Sequence, residues 1–332
     1  MTPLLAPFAL LYSSLIRAKN ARMDRRTAQQ LRWPVVSVGN LSIGGSGKTP
    51  LVICLAKALV REGFAVDVLS RGYGRSQRTV ERVEVTGNAE RFGDEPLLIA
   101  QQAGVPVYVG ASRYEAGRLA EAAGGSNGRP VHLLDDGFQH RQLARTVDIV
   151  LVHRSDLHQR LLPAGRLREP LSSLSRADVI VLRQEDADLE EKLSSYVRPG
   201  CCFWRVRRSL KLENGVKRGV AFCAIARPAE FFAQLTATGV ALAEQMPFRD
   251  HHRYTVADIE HLAELGERVD CDAFVITAKD EVKLTPAMRS RLIAVAPLRT
   301  ASLRVEIADE PVALGQLLSL MDMRKSPIVS AK

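Results

Sequence analysis

The segment VSVGNLSIGGSGKTPLVICLAKAL, from Val36 to Leu59, constrains the fold more than any other part of the chain. A hydrophobic run leads into a glycine-rich loop, then a Lys-Thr pair, and then a helical pattern. A phosphate-binding loop has the pattern G-x-x-x-x-G-K-[ST] between a strand and a helix. The chain departs from this pattern only at Ser42, which replaces the first glycine. The sequence therefore predicts a nucleotide site of the P-loop type.

The residue types of this loop suit a polyphosphate. Glycines allow backbone N–H groups to converge on phosphate oxygens, and the N-terminus of the following helix adds partial positive charge. We expect Lys48 to neutralise the β and γ oxygens and the Thr49 hydroxyl to bind Mg²⁺. A glycine turn that merely precedes a lysine is the alternative. The predicted nucleotide contacts are Gly44, Gly45, Ser46, Gly47, Lys48 and Thr49.

Strand-like runs alternate with helical patterns along most of the chain. They predict an α/β fold of the P-loop NTPase type, with a doubly wound, mostly parallel sheet. In such sheets the ligand lies beyond the carboxyl ends of the strands. The predicted strands are 34–38, 65–69, 105–109, 131–134, 148–152 and 178–182, and the predicted helices between them include 48–61 and 113–123.

A second, smaller α/β lobe is predicted after residue 205. Thr255, followed three residues later by Asp258, has the pattern of a helix cap. The predicted elements of this lobe are strands at 219–225, 273–277 and 303–307 and helices at 228–237 and 255–265. We therefore expect an N-terminal membrane-interface helix over 1–30, a P-loop core over 31–205, and a smaller lobe with a final helix over 206–332.

The overall composition indicates a globular protein with an anionic partner. Of the 332 residues, 46% are hydrophobic and 25% are charged, and the net charge is +9. This charge suits a nucleotide, a nucleic acid or a membrane surface without choosing among them. The five cysteines show no C-x-x-C spacing, which argues against a disulfide framework and favours a reducing compartment.

The N-terminal run PLLAPFALLYSSLI, from Pro3 to Ile16, is nearly all apolar and is followed by the basic segment RAKNARMDRR. The run is shorter than the ~20 residues that span a bilayer. A secretory signal carries its positive charge before the apolar region, not after it. Two interpretations remain open: a helix that docks on the protein's own core, and an interfacial helix whose basic flank meets anionic headgroups.

Three further motifs carry candidate catalytic groups. LLDDGFQH places Asp135 and Asp136 after a hydrophobic strand, where a P-loop protein makes its second Mg²⁺ contact. Because adjacent carboxylates repel unless a cation lies beside them, a metal site is favoured over a solvated turn. In RFGDEPLL, Asp94 and Glu95 follow a glycine, which suits a turn or a helix cap. In FRDHHRY, the Asp-His pair either orients another carboxylate or forms a polar loop.

Two loops carry candidate phosphate-binding arginines. SRGYGR contains Arg71, and LLPAGRLREP contains Arg166 and Arg168. Guanidinium groups bind phosphate in a fork geometry and stabilise charge during phosphoryl transfer. Taken alone, each of these two loops is most simply a solvated surface loop. Because both occur in a chain with a P-loop, a functional role is favoured for their arginines.

The ordered motifs closely resemble those of the tetraacyldisaccharide 4'-kinases, the lipid A 4'-kinases of Gram-negative bacteria. They run from Val38 to Leu284 and comprise VGNLSIGGSGKTP, SRGYGR, GDEP, LDDGFQH, LLPAGRLREP, DHH and TAKDEVKL. The resemblance implies transfer of the γ-phosphate of ATP, with Mg²⁺, to the 4'-hydroxyl of a tetraacylated glucosamine disaccharide 1-phosphate, giving lipid IVA. It also implies an interfacial N-terminal helix at the cytoplasmic face of the inner membrane. We expect a monomer with no nucleic-acid partner.

The resemblance also assigns roles to individual residues. Asp94 matches the proposed catalytic base, and His251 matches the histidine that pairs with it. Lys48 and Thr49 match the phosphate and Mg²⁺ contacts. The remaining matches are Asp135 and Asp136 at the metal, Arg168 among the catalytic residues, and Arg71, Arg113, Gln139 and His140 at the substrate.

The chain departs from the family pattern in two places. Arg166 stands where many relatives carry proline, and TAKDEVKL differs from the commoner T-E-K-D-A-V-K at Ala278 and Glu281. The runner-up function is a P-loop NTPase switch or metallochaperone that acts on a protein partner. The chain lacks an N-K-x-D guanine-specifying segment, and a switch leaves the N-terminal helix unexplained. A membrane-bound adaptor with an inactive nucleotide site is disfavoured by the acids beside the loop.

Overall fold

A computed structural model of the chain describes residues 12, 14–16, 18, 20–23, 25, 27–45, 47–124, 128–212 and 215–324. The strands in this part are β1 (Val35–Asn40), β2 (Phe64–Ser70), β3 (Glu81–Arg82), β4 (Val107–Val109), β5 (Arg129–Asp135), β6 (Val147–Leu151), β7 (Val179–Arg183), β8 (Cys202–Lys211), β9 (Arg218–Cys223), β10 (Ala241–Pro247), β11 (Ala273–Thr277) and β12 (Leu298–Ile307). The α-helices are α1 (Lys48–Arg61), α2 (Ala89–Phe92), α3 (Asp94–Ala103), α4 (Arg113–Ala122), α5 (Leu189–Ser194), α6 (Pro228–Ala237), α7 (Val256–Val269), α8 (Ala278–Glu281), α9 (Pro286–Ile293) and α10 (Glu310–Met323). Short 3₁₀ turns occupy Arg154–His158, Leu171–Arg176 and Gln184–Asp186.

The strands of the described residues form one sheet in the order β10-β9-β11-β12-β8-β7-β6-β1-β5-β2-β4-β3. Its pairs are parallel except β8 with β12 and β3 with β4, which are antiparallel. In the centre, β1 pairs with β5 through Val36 and Leu133 and with β6 through Val38 and Ile149. All six residues of β1 are buried, as expected for a parallel strand that is covered on both faces.

Helices cover both faces of the sheet. Leu133 of β5 packs in the hydrophobic cluster that includes the apolar residues of α1 and α10. Its neighbour Leu134 points the other way, into a separate cluster with Ala116 and Ala120 of α4. Successive side chains of a strand alternate between faces, so two adjacent leucines in two different cores require a layer on each side. The predicted doubly wound α/β fold is confirmed.

The C-terminal strands are enclosed in the same way. Phe222 of β9 and Phe274 of β11 pack with Leu262 of α7, whereas Ala221 and Val275 pack on the opposite face with residues of α6. The sheet runs without a break through β8, which contains the boundary predicted at residue 205. The division of the chain into domains stays a prediction.

The sequence patterns located most elements but missed three strands, β8, β10 and the two-residue β3. β8 alternates more buried with exposed residues, and no residue of β10 is fully buried, so both lack the apolar run of a central parallel strand. The cap predicted at Thr255 is confirmed. The Thr255 side chain accepts a hydrogen bond from the Asp258 N–H at 3.2 Å, and the Asp258 carboxylate accepts one from the Thr255 N–H at 2.8 Å. A capping interaction of this kind contributes about 1 kcal/mol.

The N-terminal segment contacts the loop that carries Arg168. Most of the predicted membrane-interface run, residues 3–11 and 13, lies outside the described residues, and those described between 12 and 23 are helical. The Tyr12 hydroxyl donates a hydrogen bond to the Arg168 carbonyl at 3.2 Å, and the Asn20 amide donates one to Glu169 at 3.3 Å. The Leu15 side chain is 60% exposed. None of the described helices has the length and apolar character that crossing a membrane requires.

Candidate active site

The P-loop, residues 41–49, connects the end of β1 to the start of α1. Gly44 and Gly47 have φ angles of +90° and +89°, a left-handed conformation that glycine adopts without steric cost. Gly47 caps α1 without any side-chain hydrogen bond from the described residues, so the first N–H groups of the helix are available to an anion. The loop backbone can therefore bind phosphate. Ser46, one of the predicted contacts, lies outside the described residues.

Lys48 occupies the first turn of α1 beside the acids at the end of β5. Its Nζ donates a hydrogen bond to Asn40 Oδ1 at 3.0 Å and lies 3.4 Å from Asp136 Oδ1. Thr49 follows Lys48 and is buried. The loop thus combines the cation and the hydroxyl that phosphate and metal binding require.

Asp135 and Asp136 have opposite electrostatic environments although they are adjacent. Asp135 is 2% exposed, and its Oδ2 accepts a hydrogen bond from the Ser70 hydroxyl at 3.1 Å. Burial, together with the charges of Glu95 and Asp136, raises the pKa of Asp135 to about 7. Burial also opposes ionisation of Asp136, but Lys48 and Arg168 outweigh it and lower the pKa of that carboxyl. Arg168 binds both Asp136 oxygens, at 2.8 and 2.9 Å.

The chemistry of this acidic pair suits Mg²⁺. Asp135 Oδ1 is buried and has no hydrogen-bond partner among the described residues, and a carboxylate oxygen is a preferred ligand of that cation. Within the described ranges, no group of three or more His, Cys, Asp or Glu side chains could hold a metal ion. A metal here would take its remaining ligands from Thr49, phosphate oxygens and water, as Mg²⁺ commonly does in phosphotransferases.

Asp94 and His251 form a hydrogen-bonded pair. Asp94 begins α3 and is 6% exposed, and His251 Nδ1 lies 2.9 Å from Asp94 Oδ2. Burial alone would raise the pKa of Asp94, but the hydrogen bond from His251 and the charge of Lys279 outweigh it and lower that pKa to about 2. The same hydrogen bond raises the pKa of His251 above its usual value. The pair therefore holds an ionised carboxylate at neutral pH.

The backbone of His251 supports a functional position for this pair. Its φ angle is +61°, which costs a residue with a Cβ about 1–2 kcal/mol and is seldom retained without a reason. The neighbouring His252 instead binds Asp258 at 2.9 Å, at the start of α7. FRDHHRY had two interpretations, a polar loop and a histidine that orients another carboxylate. The geometry of His251 fits the second.

Two lysines of the TAKDEVKL segment surround Asp94. Lys279 Nζ, from α8, donates a hydrogen bond to Glu95 Oε1 at 3.0 Å and lies 3.8 Å from Asp94 Oδ2. It also lies 3.4 Å from His251 Nε2. Lys283 Nζ lies 4.0 Å from Asp94 Oδ2. This segment, to which the sequence assigned no role, supplies cations that favour the ionised form of Asp94.

These groups meet at a cavity of about 820 Å³. It is lined by the P-loop, the acidic pair, Glu95, His251 and Lys279. Asp94 reaches this site through its hydrogen bond with His251. The remaining predicted residues that line the cavity are Arg168, Arg71, Arg113, Gln139 and His140. Arg113 is 6% exposed and its Nε has no hydrogen-bond partner within the described segments. Burial and the nearby charge of Arg71 lower the pKa of Arg113 to about 10, so this region has unneutralised positive charge for an anionic group.

Comparison with known proteins identifies the family. A model of the family described as "Tetraacyldisaccharide-1-P 4'-kinase" (LpxK) matches residues 1–322. The chain belongs to this family. It is 41% identical over 331 residues to a tetraacyldisaccharide 4'-kinase of Koribacter versatilis, covering 96% of this chain and 99% of that protein. It is 36% identical over 311 residues to the enzyme of Chromobacterium violaceum, covering 88% of each.

A solved structure of the same family has the same fold. The crystal structure of LpxK from Aquifex aeolicus in complex with ATP superposes with a TM-score of 0.75 at 32% sequence identity. The match covers 96% of this chain and 98% of that chain. The resemblance inferred from the ordered motifs is thereby confirmed, whereas the individual roles of the site residues stay predictions.

Two residues in or beside this cavity were not assigned a role from the sequence. Asn40, at the end of β1, accepts hydrogen bonds from Lys48 and from Arg168, and it lies inside the quoted motif VGNLS. Arg208 of β8 borders the P-loop. The only sequence signal for Arg208 is its position in the alternating segment WRVRRSL, where it falls on the same face as Trp204 and Val206. Arg166, the departure from the family pattern, donates to the Ile43 carbonyl at 3.1 Å beside Gly44.

Proposed function

We propose that this chain is a lipid kinase that transfers the γ-phosphate of ATP to the 4'-hydroxyl of a tetraacylated glucosamine disaccharide 1-phosphate, forming lipid IVA in lipid A biosynthesis. The observation that carries the proposal is one cavity that is lined both by a P-loop and by His251, whose hydrogen-bond partner Asp94 is ionised. Membership in the 4'-kinase family supports the acceptor. Phosphoryl transfer to an alcohol needs both a polyphosphate site and a base.

On the nucleotide side, Gly44 to Thr49 hold the triphosphate and Lys48 neutralises its β and γ oxygens. Thr49, Asp135 and Asp136 are the proposed contacts of Mg²⁺, which when bound neutralises charge that develops on the transferred group. Asp135 supports this assignment because one of its oxygens is buried without a partner among the described residues. Arg168, which already reaches Asp136, is positioned to add positive charge near the phosphates.

On the acceptor side, Asp94 takes the proton of the attacking hydroxyl. An alcohol is a poor nucleophile at neutral pH, so a carboxylate must accept its proton as the new bond forms. His251 fixes the orientation of Asp94 through their 2.9 Å hydrogen bond, and Lys279 and Lys283 keep it ionised. Arg71, Arg113, Gln139 and His140 are the proposed acceptor contacts because they line the same cavity.

We also propose that the chain acts as a monomer at the cytoplasmic face of the inner membrane. The described residues of a single chain supply both sides of the cavity. A lipid with four acyl chains leaves a bilayer only at high cost, because each buried CH₂ contributes about 0.8 kcal/mol. The N-terminal segment, with Leu15 exposed and basic residues after it, offers an interfacial contact that adjoins the Arg168 loop.

The test is whether ATP consumption depends on the acylated disaccharide. Purified full-length chain is incubated with ATP, Mg²⁺ and detergent-solubilised acceptor, and product is detected as a lipid that has gained one phosphate. The matched control acceptor has its 4'-hydroxyl blocked. We expect ATP consumption only with the free hydroxyl. Nucleotide hydrolysis at the same rate without any acceptor would instead support a P-loop switch. Co-sedimentation with anionic vesicles, compared with a chain lacking residues 1–16, tests the membrane contact.

A further inference from the structure

The face of β8 that turns toward the core carries an arginine beside the P-loop. Trp204 and Val206 are buried on this face, whereas Arg205 and Arg207 of the alternate positions are exposed. Arg208 continues the inward face and pairs in register with Val305 of β12. A Cβ built on Gly47 would lie 3.8 Å from Arg208 Cζ. The guanidinium of Arg208 therefore lies in the space that a side chain at position 47 would face, and both residues line the cavity.

Two of the three guanidinium nitrogens of this half-buried side chain are unsatisfied. Arg208 Nε and Nη1 are buried and have no hydrogen-bond partner among the residues that the structure describes. Burial, reinforced by the charge of Arg183, lowers the pKa of Arg208 to about 10, so the group still carries its charge at neutral pH. A buried cation with unpaired donors is costly to a folded protein and is retained where it binds something.

Among the carboxylates that act on the charge of Arg208, Glu230 has the largest effect. Its oxygens already accept hydrogen bonds from two other arginines. Glu230 accepts hydrogen bonds from Arg183 at 3.2 Å and from Arg227 at 2.8 Å. The charges of Arg183 and Arg227 both disfavour the protonated form of Arg208. Glu185, which lies 3.8 Å from Arg183, is the other carboxylate whose charge acts on Arg208. Three guanidinium groups thus stand against two carboxylates, which leaves an excess positive charge, and Arg208 of this group lies near Gly47. This arrangement attracts an anion to the start of α1, where the helix N-terminus attracts one as well.

We propose that Arg208 binds the polyphosphate chain of the nucleotide and is a second cation, beside Lys48, in the phosphate site. The inference rests on the proposed function only for the identity of the anion as a nucleotide. Arg208 lies against the backbone that is to hold phosphate, and its planar fork suits two oxygens at once. Because β8 joins β7 of the P-loop half to β12, this cation comes from the opposite side of the cavity from Arg71 and Arg113.

The experiment uses the full chain and the variants Arg208→Met, Arg208→Lys and Arg207→Met. Arg207 is the matched control because it is exposed on the other face of the same strand and donates to Gln184. Calorimetry measures the binding of inorganic tripolyphosphate and of ATP. We expect Arg208→Met to weaken both about tenfold or more, the loss typical of a charge-assisted hydrogen bond. Arg208→Lys should fall between wild type and Arg208→Met, and Arg207→Met should match wild type.

Thermal unfolding without ligand separates binding from folding. Methionine removes an unpaired buried cation, so the melting temperature of Arg208→Met should equal or exceed that of wild type. A lower melting temperature with wild-type tripolyphosphate affinity would make Arg208 a structural residue and overturn the proposal. Weaker ATP binding with unchanged tripolyphosphate binding would also overturn it, because the contact would then be to the base or ribose. Turnover of the acylated disaccharide by the wild-type chain is measured separately, and it tests the proposed function independently of either result.

Discussion

The P-loop lines one cavity together with Glu95, His251 and Lys279. We define these three residues and Asp94, the hydrogen-bond partner of His251, as the base cluster, and the two regions are assembled in different ways. The P-loop is a continuous segment of residues 41–49. The base cluster depends on hydrogen bonds between distant segments, since Asp94 and His251 are 157 residues apart and Lys279 and Glu95 are 184 apart. The P-loop is therefore a local structure, whereas the Asp94–His251 pair proposed as the base exists only when the two halves of the sheet are in place.

The two regions also differ in how their cations and carboxylates are arranged. At the P-loop, Lys48 and Arg168 share a carboxylate, Asp136, and a bound phosphate would compete for both cations. In the base cluster, His251 and Lys279 lie beside the buried Asp94 carboxylate, and Lys283, outside the cluster, lies 4.0 Å from it. A phosphate site needs cations that can turn to a ligand, whereas a base needs a carboxylate that stays ionised. Each region can be disabled without disabling the other, and the following experiments use this independence.

The largest effect is expected from Asp94→Asn, which removes the base and leaves the P-loop intact. Turnover of the lipid acceptor should fall by about 10²–10⁴-fold, the usual contribution of a general base, while calorimetry shows unchanged ADP affinity. Glu90→Gln, an exposed acid of α2, is the matched control and should turn over normally. Lost nucleotide binding with normal turnover of the residual complex would contradict the role of Asp94.

Lys48→Met is the converse change. Because Lys48 is the proposed partner of the β and γ oxygens, ATP affinity should fall about 10- to 100-fold, as for a lost charge-assisted contact. The pKa of His251, followed by the NMR shift of its ring proton, should not move. Lys57→Met alters an exposed lysine of the same helix and should leave both quantities unchanged. A shifted His251 pKa with intact ATP binding would mean that the two regions are not independent.

Acid should destabilise the protein partly through Asp94. Its pKa is about 2 in the folded chain and about 4 in an unfolded one, a difference that contributes about 2–3 kcal/mol to the free energy of unfolding. This stability is present above pH 4 and is lost as the pH falls through about 2, because the unfolded state then binds a proton that the folded state does not. Urea unfolding across this range should show a shallower pH dependence for Asp94→Asn than for wild type. Equal slopes would refute the lowered pKa.

The smallest expected effect concerns Lys279. Its Nζ lies 3.4 Å from His251 Nε2 and opposes protonation of that ring. Lys279→Met should therefore raise the pKa of His251, by NMR titration, above the wild-type value. Arg253→Met removes an exposed cation two residues from His251 and is the control, with a smaller shift expected. A lower His251 pKa in Lys279→Met would show that Lys279 acts on the pair through structure and not through its charge.

Features that depend on local contacts could be predicted from the sequence, whereas most features that depend on distant contacts could not. The central strands and α1 were predictable because a strand buried on both faces is a continuous apolar run, as in β1. β8 was missed because its half-exposed pattern carries no such signal, and Arg208 was missed with it. The pairing of His251 with Asp94 entered only through the resemblance to a family. Taken alone, FRDHHRY favoured a polar loop over a histidine that orients another carboxylate.

The phosphate-binding loop and the alternating α/β pattern follow directly from the sequence, because both depend on residues that are neighbours in the chain. Only the tertiary structure brought the two lysines of TAKDEVKL to Asp94 and placed Arg208 against Gly47. Those contacts join strands and helices from opposite halves of the sheet. Their charges act through space over a few ångströms, and separation along the chain does not reveal such distances.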